Sequence, residues 1–284
     1  MESHTVPVGG VPVRWEESGS GVPVVLVHGI PTSPALWRHV VPHVKGARCL
    51  AFEMAGYGQS IPAGAGRDIS VAAQAGYLLD WMNQIGTEKA VLAGHDLGGG
   101  VAQIAAVRQP GRCAGLLLAN AIGYDSWPVA PVRLLRRAGA FVERLPAAAM
   151  RPALASLILA GHDDMAVAAE SLKVHAGPYA RPGGPAGLVR QVRSLDTGDT
   201  LAVQGKLAGL RVPARVVWGA ADQFQKVRYG EQFAADLGVP LQRIEGGKHF
   251  IPEDHPGAIA AALNDLVREA SPGGTGAGGQ SGGR

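Results

Sequence analysis

Three polar residues, Asp96, Asp222 and His249, stand where the chain pattern makes chemistry easiest. Asp96 lies in Leu92-Ala93-Gly94-His95-Asp96-Leu97-Gly98-Gly99-Gly100, where strand formers give way to a helical pattern. A turn that sharp needs glycines, and the side chain at its apex points off the carboxyl edge of the sheet, where open α/β sheets bind ligands. The spacing is G-x-D-x-G, so a carboxylate occupies the apex at which a G-x-S-x-G turn carries its serine. A serine attacking an sp3 carbon would leave an ether, which water does not readily cleave. A carboxylate attacking the same carbon leaves an ester, which an activated water hydrolyses. With a reference pKa of about 3.9, Asp96 is ionised at pH 7 without a base. In a second step His249 would take a proton from the water that attacks the ester. Asp222 would hold the imidazole's tautomer and stabilise its cation.

The elements that must position these residues follow from hydrophobic periodicity. Alternation around Gly9-Gly10 signals a hairpin, and the continuous apolar run 22–27 reads as a strand buried on both faces, ending in His28-Gly29-Ile30-Pro31. Ser33-Pro34 supplies a cap and a first-turn proline for a helix expected over 33–43. Residues 48–54 form a further strand, and 68–85 an amphipathic helix with Val71, Ala75, Leu78, Leu79, Met82 and Ile85 on one face. The strand into Asp96, its following helix and a strand over 114–119 continue the alternation, which implies a mostly parallel sheet covered by helices. Between 123 and 205 the rhythm changes to helical stretches (132–145 and 152–160) without strand runs. Strands over 212–218 and 241–245 and helices over 227–237 and 256–269 complete the core. The expected organisation is a core of residues 1–122 and 206–270, a helical cap of 123–205 inserted after the sixth strand, and a disordered Gly/Ser-rich tail, 271–284.

Composition bounds the partners. The 284 residues are 46% hydrophobic with a net charge of +3, and the arginines are interleaved with acids, so no nucleic-acid surface is expected. Cys49 and Cys113 fit neither metal nor disulfide spacing, and no His/Cys/carboxylate group has metal-ligand spacing. The first residues lack a basic-then-apolar signal and no apolar run suits a bilayer. These features read as a soluble cytoplasmic protein with a small-molecule substrate and no metal, cofactor or membrane. Its oligomeric state is left open.

The order nucleophile, acid, histidine, carried by His28-Gly29-Ile30-Pro31, Gly56-Tyr57-Gly58-Gln59-Ser60, the Asp96 turn, the turn from Gly219 to Asp222 and Lys248-His249-Phe250, resembles the α/β-hydrolase fold. Within it the chain resembles enzymes with an aspartate nucleophile, the epoxide hydrolases and haloalkane or haloacid dehalogenases. The resemblance implies an oxyanion hole from the backbone N–H groups of Ile30 and Leu97, and a cis bond before Pro31. His28 and His95 are read as braces for their loops. Asn120 stands at a strand end where some relatives keep their acid, and Asp125 competes with Asp222 for that role.

The leaving group divides the readings. Haloalkane dehalogenases place an indole N–H directly after the nucleophile, and many place Asn after His-Gly; here those positions are Leu97 and Ile30, neither with a side-chain donor. Epoxide hydrolases use cap tyrosines, for which Tyr124 and Tyr179 are the candidates, while Trp127 offers one N–H. The expectation is epoxide opening to a diol, with dehalogenation as the alternative. A binding or cyclising protein that keeps the fold without turnover is the reading from another class.

Overall fold

The computed structural model describes residues 1–271, so all of the expected tail beyond Ser271 lies outside the described residues. Strands β1 (Glu2–Val8), β2 (Val11–Gly19), β3 (Val22–Val27), β4 (Ala47–Glu53), β5 (Ala90–Asp96), β6 (Cys113–Ala121), β7 (Ala214–Gly219) and β8 (Leu241–Ile244) form one sheet in the order β1-β2-β4-β3-β5-β6-β7-β8. β1 and β2 make the expected hairpin; Gly9 and Gly10 both have positive φ, as a two-residue turn between twisted strands requires. β2 meets β4 antiparallel, and every pairing from β4 to β8 is parallel.

The helices are α1 (Val71–Gln84), α2 (Leu97–Arg108), α3 (Ala130–Arg137), α4 (Gly139–Val142), α5 (Met150–Gly161), α6 (Met165–His175), α7 (Gly184–Arg193), α8 (Gly198–Gln204), α9 (Val227–Leu237), α10 (Ile251–Asp254) and α11 (Pro256–Ala270). All of α3 to α8 fall between β6 and β7, as the change of rhythm implied. Ser70 starts α1, its hydroxyl accepting from Ala73 N at 3.2 Å. The helix expected over 33–43 is instead two single 3-10 turns, Pro34–Trp37 and Val41–His43. Pro42 lacks the N–H that would continue the helix, and Val40 and Val41 are stiff β-branched residues. The stretch expected as one helix over 132–145 is split into α3 and α4 at Ala138-Gly139.

Period-two alternation sorts the strand residues between two cores. Val25, Val27, Leu92, Leu116 and Leu118 pack on one face under α1 and α2, while Val24, Leu26, Val91, Ala93 and Leu117 pack on the other under α11. A third core, including Ile61, Met150, Leu154, Ile158, Tyr179 and Leu188, ties α5 and α7 to the loop after β4. Because β3, β5 and β7 are buried between the helical layers and the edge strand β8 pairs with β7, their carboxyl ends are fixed relative to one another. The site is built on those ends.

Candidate active site

Asp96 closes β5 with φ 51 and ψ −121, a left-handed conformation that costs a non-glycine residue roughly 1–3 kcal/mol. The turn is possible because α2 begins on glycines that touch the sheet: a Cβ on Gly98 would lie 2.1 Å from Val27 O. Asp96 Oδ2 accepts the Ile30 N–H at 3.0 Å, and the Leu97 N–H bonds the same carboxylate. The His28-Gly29-Ile30-Pro31 loop therefore lies directly against the carboxylate; a Cβ on Gly29 would come within 2.4 Å of Asp96 Oδ2. The Ile30–Pro31 bond is cis. Burial raises the Asp96 carboxyl above the usual range, against the opposing pull of His249 and the two N–H groups.

His249 follows β8 and presents Nε2 4.0 Å from Asp96 Oδ1, the oxygen not held by the loop. Its Nδ1 lies 2.8 Å from Asp222 Oδ2. Asp222 leaves the end of β7, and its Oδ1 accepts the N–H groups of Phe224 (2.7 Å) and Gln225 (3.1 Å), so it caps its own loop and faces the imidazole at once. Asn120 completes the carboxylate's partners, its Nδ2 donating to Asp222 Oδ2 at 2.5 Å and to Lys248 O at 3.0 Å. Burial would lower the His249 imidazole, but the charge and hydrogen bond of Asp222, with Asp96 behind them, lift it above the usual range. Asp125 is engaged elsewhere, accepting from the Tyr229 hydroxyl at 3.0 Å.

The two other histidines brace loops. His28 Nδ1–H donates to Gly29 O (2.9 Å) while Nε2 accepts from Met54 N (3.2 Å), and burial lowers its pKa to about 3. His95 Nε2 lies 2.9 Å from His249 O, and the two rings sit with centroids 4.7 Å apart.

The three leaving-group candidates do not converge on Asp96. The Tyr124 hydroxyl donates to Asp236 Oδ2 at 2.7 Å on α9, and its ring packs on Phe233 and Tyr229. The Tyr179 hydroxyl donates to Gln191 Oε1 at 2.9 Å, and Trp127 Nε1 donates to Thr200 Oγ1 at 2.8 Å. All three are buried structural aromatics with satisfied polar ends, the usual state of such residues inside a core. The cavity over Asp96 and His249, about 40 Å³, is lined instead by Ile30, Val129, Val132, Leu157, Phe224, Gln225 and Phe250. No sequence signal singled out Gln225, because no spacing rule marks a lone glutamine in a loop.

The cap also grips the histidine loop. Gly161 O, at the end of α5, accepts both the His249 N–H (2.9 Å) and the Phe250 N–H (3.0 Å), and Lys248 Nζ donates to His162 O at 2.8 Å. His162 stacks on Phe250 with ring centroids 4.7 Å apart and faces Glu253 (3.3 Å) and Asp254 (2.8 Å). Glu253 also pairs with Arg38 and with His175 Nε2 (3.2 Å). Despite the opposing effect of burial, hydrogen bonds from His162 and His175, with the charge of Arg38, hold the Glu253 carboxyl well below the usual range. No helix of the described residues is long and apolar enough to cross a membrane.

Comparison with known proteins agrees with this architecture. Residues 22–256 match the family described as the alpha/beta hydrolase fold. A haloalkane dehalogenase from Mesorhizobium japonicum is 25% identical over 295 residues, covering 93% of this chain and 90% of that protein. Epoxide hydrolase A from Mycobacterium tuberculosis is 25% identical over 311 residues, covering 92% and 96%. An alpha/beta hydrolase fold protein from Burkholderia ambifaria superposes with a TM-score of 0.83 at 25% identity, over 92% of this chain and 97% of that one. With its elbow, strand order and cap in place, this chain belongs to the α/β-hydrolase family and is a hydrolase.

Proposed function

We propose that this hydrolase cleaves a bond at an sp3 carbon through a covalent ester on Asp96. The observation that carries this reading is the division of the carboxylate: Oδ2 is held by Ile30 N–H, while Oδ1 lies 4.0 Å from His249 Nε2. Oδ1 is the oxygen free to attack. In the second step water adds to the ester carbonyl, His249 Nε2 accepts its proton, and the N–H groups of Ile30 and Leu97 take the developing oxyanion. Such donors are each worth about 2.7–4 kcal/mol in hydrolases where they have been removed. Collapse returns the proton from His249 to the departing alcohol.

Of the two leaving groups, the arrangement favours halide. An opening epoxide ring needs a proton, and Tyr124 and Tyr179, on which that expectation rested together with the lack of side-chain donors at Leu97 and Ile30, donate elsewhere. A halide leaves without one. Epoxide opening is the second reading, supported by the likeness to epoxide hydrolase A.

The substrate is neutral and apolar with an extended tail. The 40 Å³ above Asp96 is far below the roughly 300–1,000 Å³ of ordinary ligand pockets. A groove of about 380 Å³ between α3 and α5 adjoins it, sharing Val132 and Leu157 as walls. The groove is lined by aliphatic residues such as Leu135, Val142, Met150 and Leu188, with Ser156 its one polar member among the described residues.

The test is a single turnover of excess enzyme with a 1-haloalkane in ¹⁸O-water. The ester route puts the label in Asp96 and leaves the first alcohol unlabelled. Label in the first alcohol would exclude the Asp96 ester.

A further inference from the structure

Gln225 lines the catalytic cavity together with Asp96 and His249, yet the mechanism above gives it no task. Its main chain is fixed from both sides: its N–H donates to Asp222 Oδ1 at 3.1 Å, and its carbonyl accepts the Trp218 indole N–H at 2.8 Å. Its side chain is different. The residue is 2% exposed, and its Oε1 is buried without a hydrogen-bond partner among the described residues. Buried amide ends are nearly always satisfied, and one left alone inside a protein is costly. One held beside a nucleophile on a pinned backbone has a natural partner in the substrate. A half-turn of the amide exchanges its oxygen and nitrogen, so the same position can offer N–H donors.

Resting on the ester reading above, we propose that Gln225 binds the leaving halide, standing in for the side-chain donors that Leu97 and Ile30 lack. Apart from His249, which deprotonates water in the next step, it is among the described residues the only side chain lining the cavity that carries an N–H. As Asp96 Oδ1 forms its bond to carbon, the carbon–halogen bond breaks and its electron pair departs with the halide. The Gln225 N–H2 then donates to that anion. An amide cannot give up its proton under these conditions, so it suits a leaving group that departs unprotonated. Water then cleaves the ester, and the sum is haloalkane plus water giving alcohol, halide and a proton.

The experiment compares the wild type with Gln225→Met and the near-isosteric Gln225→Glu, each first checked for native circular dichroism. Two readouts are used. Single-turnover alkylation is followed with 1-chloro-, 1-bromo- and 1-iodohexane, and bromide binding to the resting enzyme is followed by thermal shift. Removing the donor should slow the chloride reaction about 10- to 100-fold and the iodide reaction much less, because the poorer leaving group depends more on the hydrogen bond. Bromide affinity should fall at least tenfold in both variants, and further in Gln225→Glu, whose carboxylate repels the anion. An unchanged chloride-to-iodide ratio with unchanged bromide affinity overturns the assignment. If the wild type forms no ester on Asp96 with any halide, the ester reading fails instead. The bromide titration then still decides whether Gln225 holds an anion.

Discussion

Asn120 and His249 share a single oxygen of Asp222: Nδ2 of the one and Nδ1 of the other both meet Oδ2, at 2.5 and 2.8 Å. With Phe224 and Gln225 on Oδ1, the carboxylate has two donors on each oxygen and no freedom to rotate. Asn120 Oδ1 also accepts Gly219 N at 2.9 Å, so one amide joins β6 to the ends of β7 and β8. Asn120→Asp removes the donor and sets a second carboxylate beside Asp222. The expected result is ester hydrolysis slowed about 10- to 100-fold, the range for a lost hydrogen bond to a charged group, with alkylation little changed. Rapid-quench measurement should show a burst of leaving group and an accumulated alkyl-enzyme. Equal slowing of both steps would mean that Asn120 supports the fold rather than the histidine.

The pH dependence of the two steps should separate. His249 must be neutral to accept a proton, and its pKa lies above the ordinary imidazole value. Ester hydrolysis should therefore rise with pH through a midpoint above about 6.5. Alkylation requires only that Asp96 be ionised and should plateau at lower pH. Below the His249 midpoint the alkyl-enzyme accumulates, and His249→Gln should trap it at every pH as added mass on Asp96. No adduct at low pH, with turnover continuing, would contradict this assignment of the base.

Leu157 and Val132 separate the catalytic cavity from the cap groove. Each methylene of substrate lodged in that groove should raise kcat/KM by about fourfold, the equivalent of about 0.8 kcal/mol. Leu157→Phe narrows the junction and should abolish that gain for long chains while sparing two- and three-carbon substrates. A chain-length series on both proteins tests it. Parallel losses for short and long substrates would place the tail elsewhere.

The cap's hold on the histidine loop should weaken in alkali. Burial would lower the His162 pKa, but the hydrogen bonds and charges of Asp254 and Glu253 lift it to about 9. A group whose folded pKa exceeds its unfolded value of about 6.5 gives its full stabilisation below the unfolded value and loses it as pH rises through the folded one. The thermal midpoint should therefore decline between about pH 6.5 and 9. His162→Gln should be less stable at pH 6 and lose much of that slope. An identical slope in the variant would assign the titration to another group.

The fold and the placing of the candidate site were legible where local backbone rules dictate them. The turn at Asp96 needs glycines on a strand-to-helix junction, and Asp222 and His249 follow the short strands β7 and β8. The donors around the substrate were not legible. Tyr124 and Tyr179 have the right residue type, but their orientation is set by Asp236 and Gln191, which are distant in sequence and unmarked by any period. Gln225 was missed because its significance lies in a missing hydrogen bond. Glu253 sits in a polar Pro-Glu-Asp-His run that reads as surface, yet it is 2% exposed because Arg38, His162 and His175 arrive from three other segments.

The double hydrogen bond at Gly161 has a consequence for how such proteins can be recombined. A cap that only roofed the pocket could be exchanged between relatives as a cassette, carrying specificity with it and leaving the reaction intact. Here the end of α5 is also the socket for the His249 backbone. A transplanted cap would have to bring an equivalent carbonyl or leave the His249 backbone unseated. Specificity and turnover are therefore inherited together in this chain, and variation in its substrate range is expected at the α3–α5 groove rather than by exchange of whole caps.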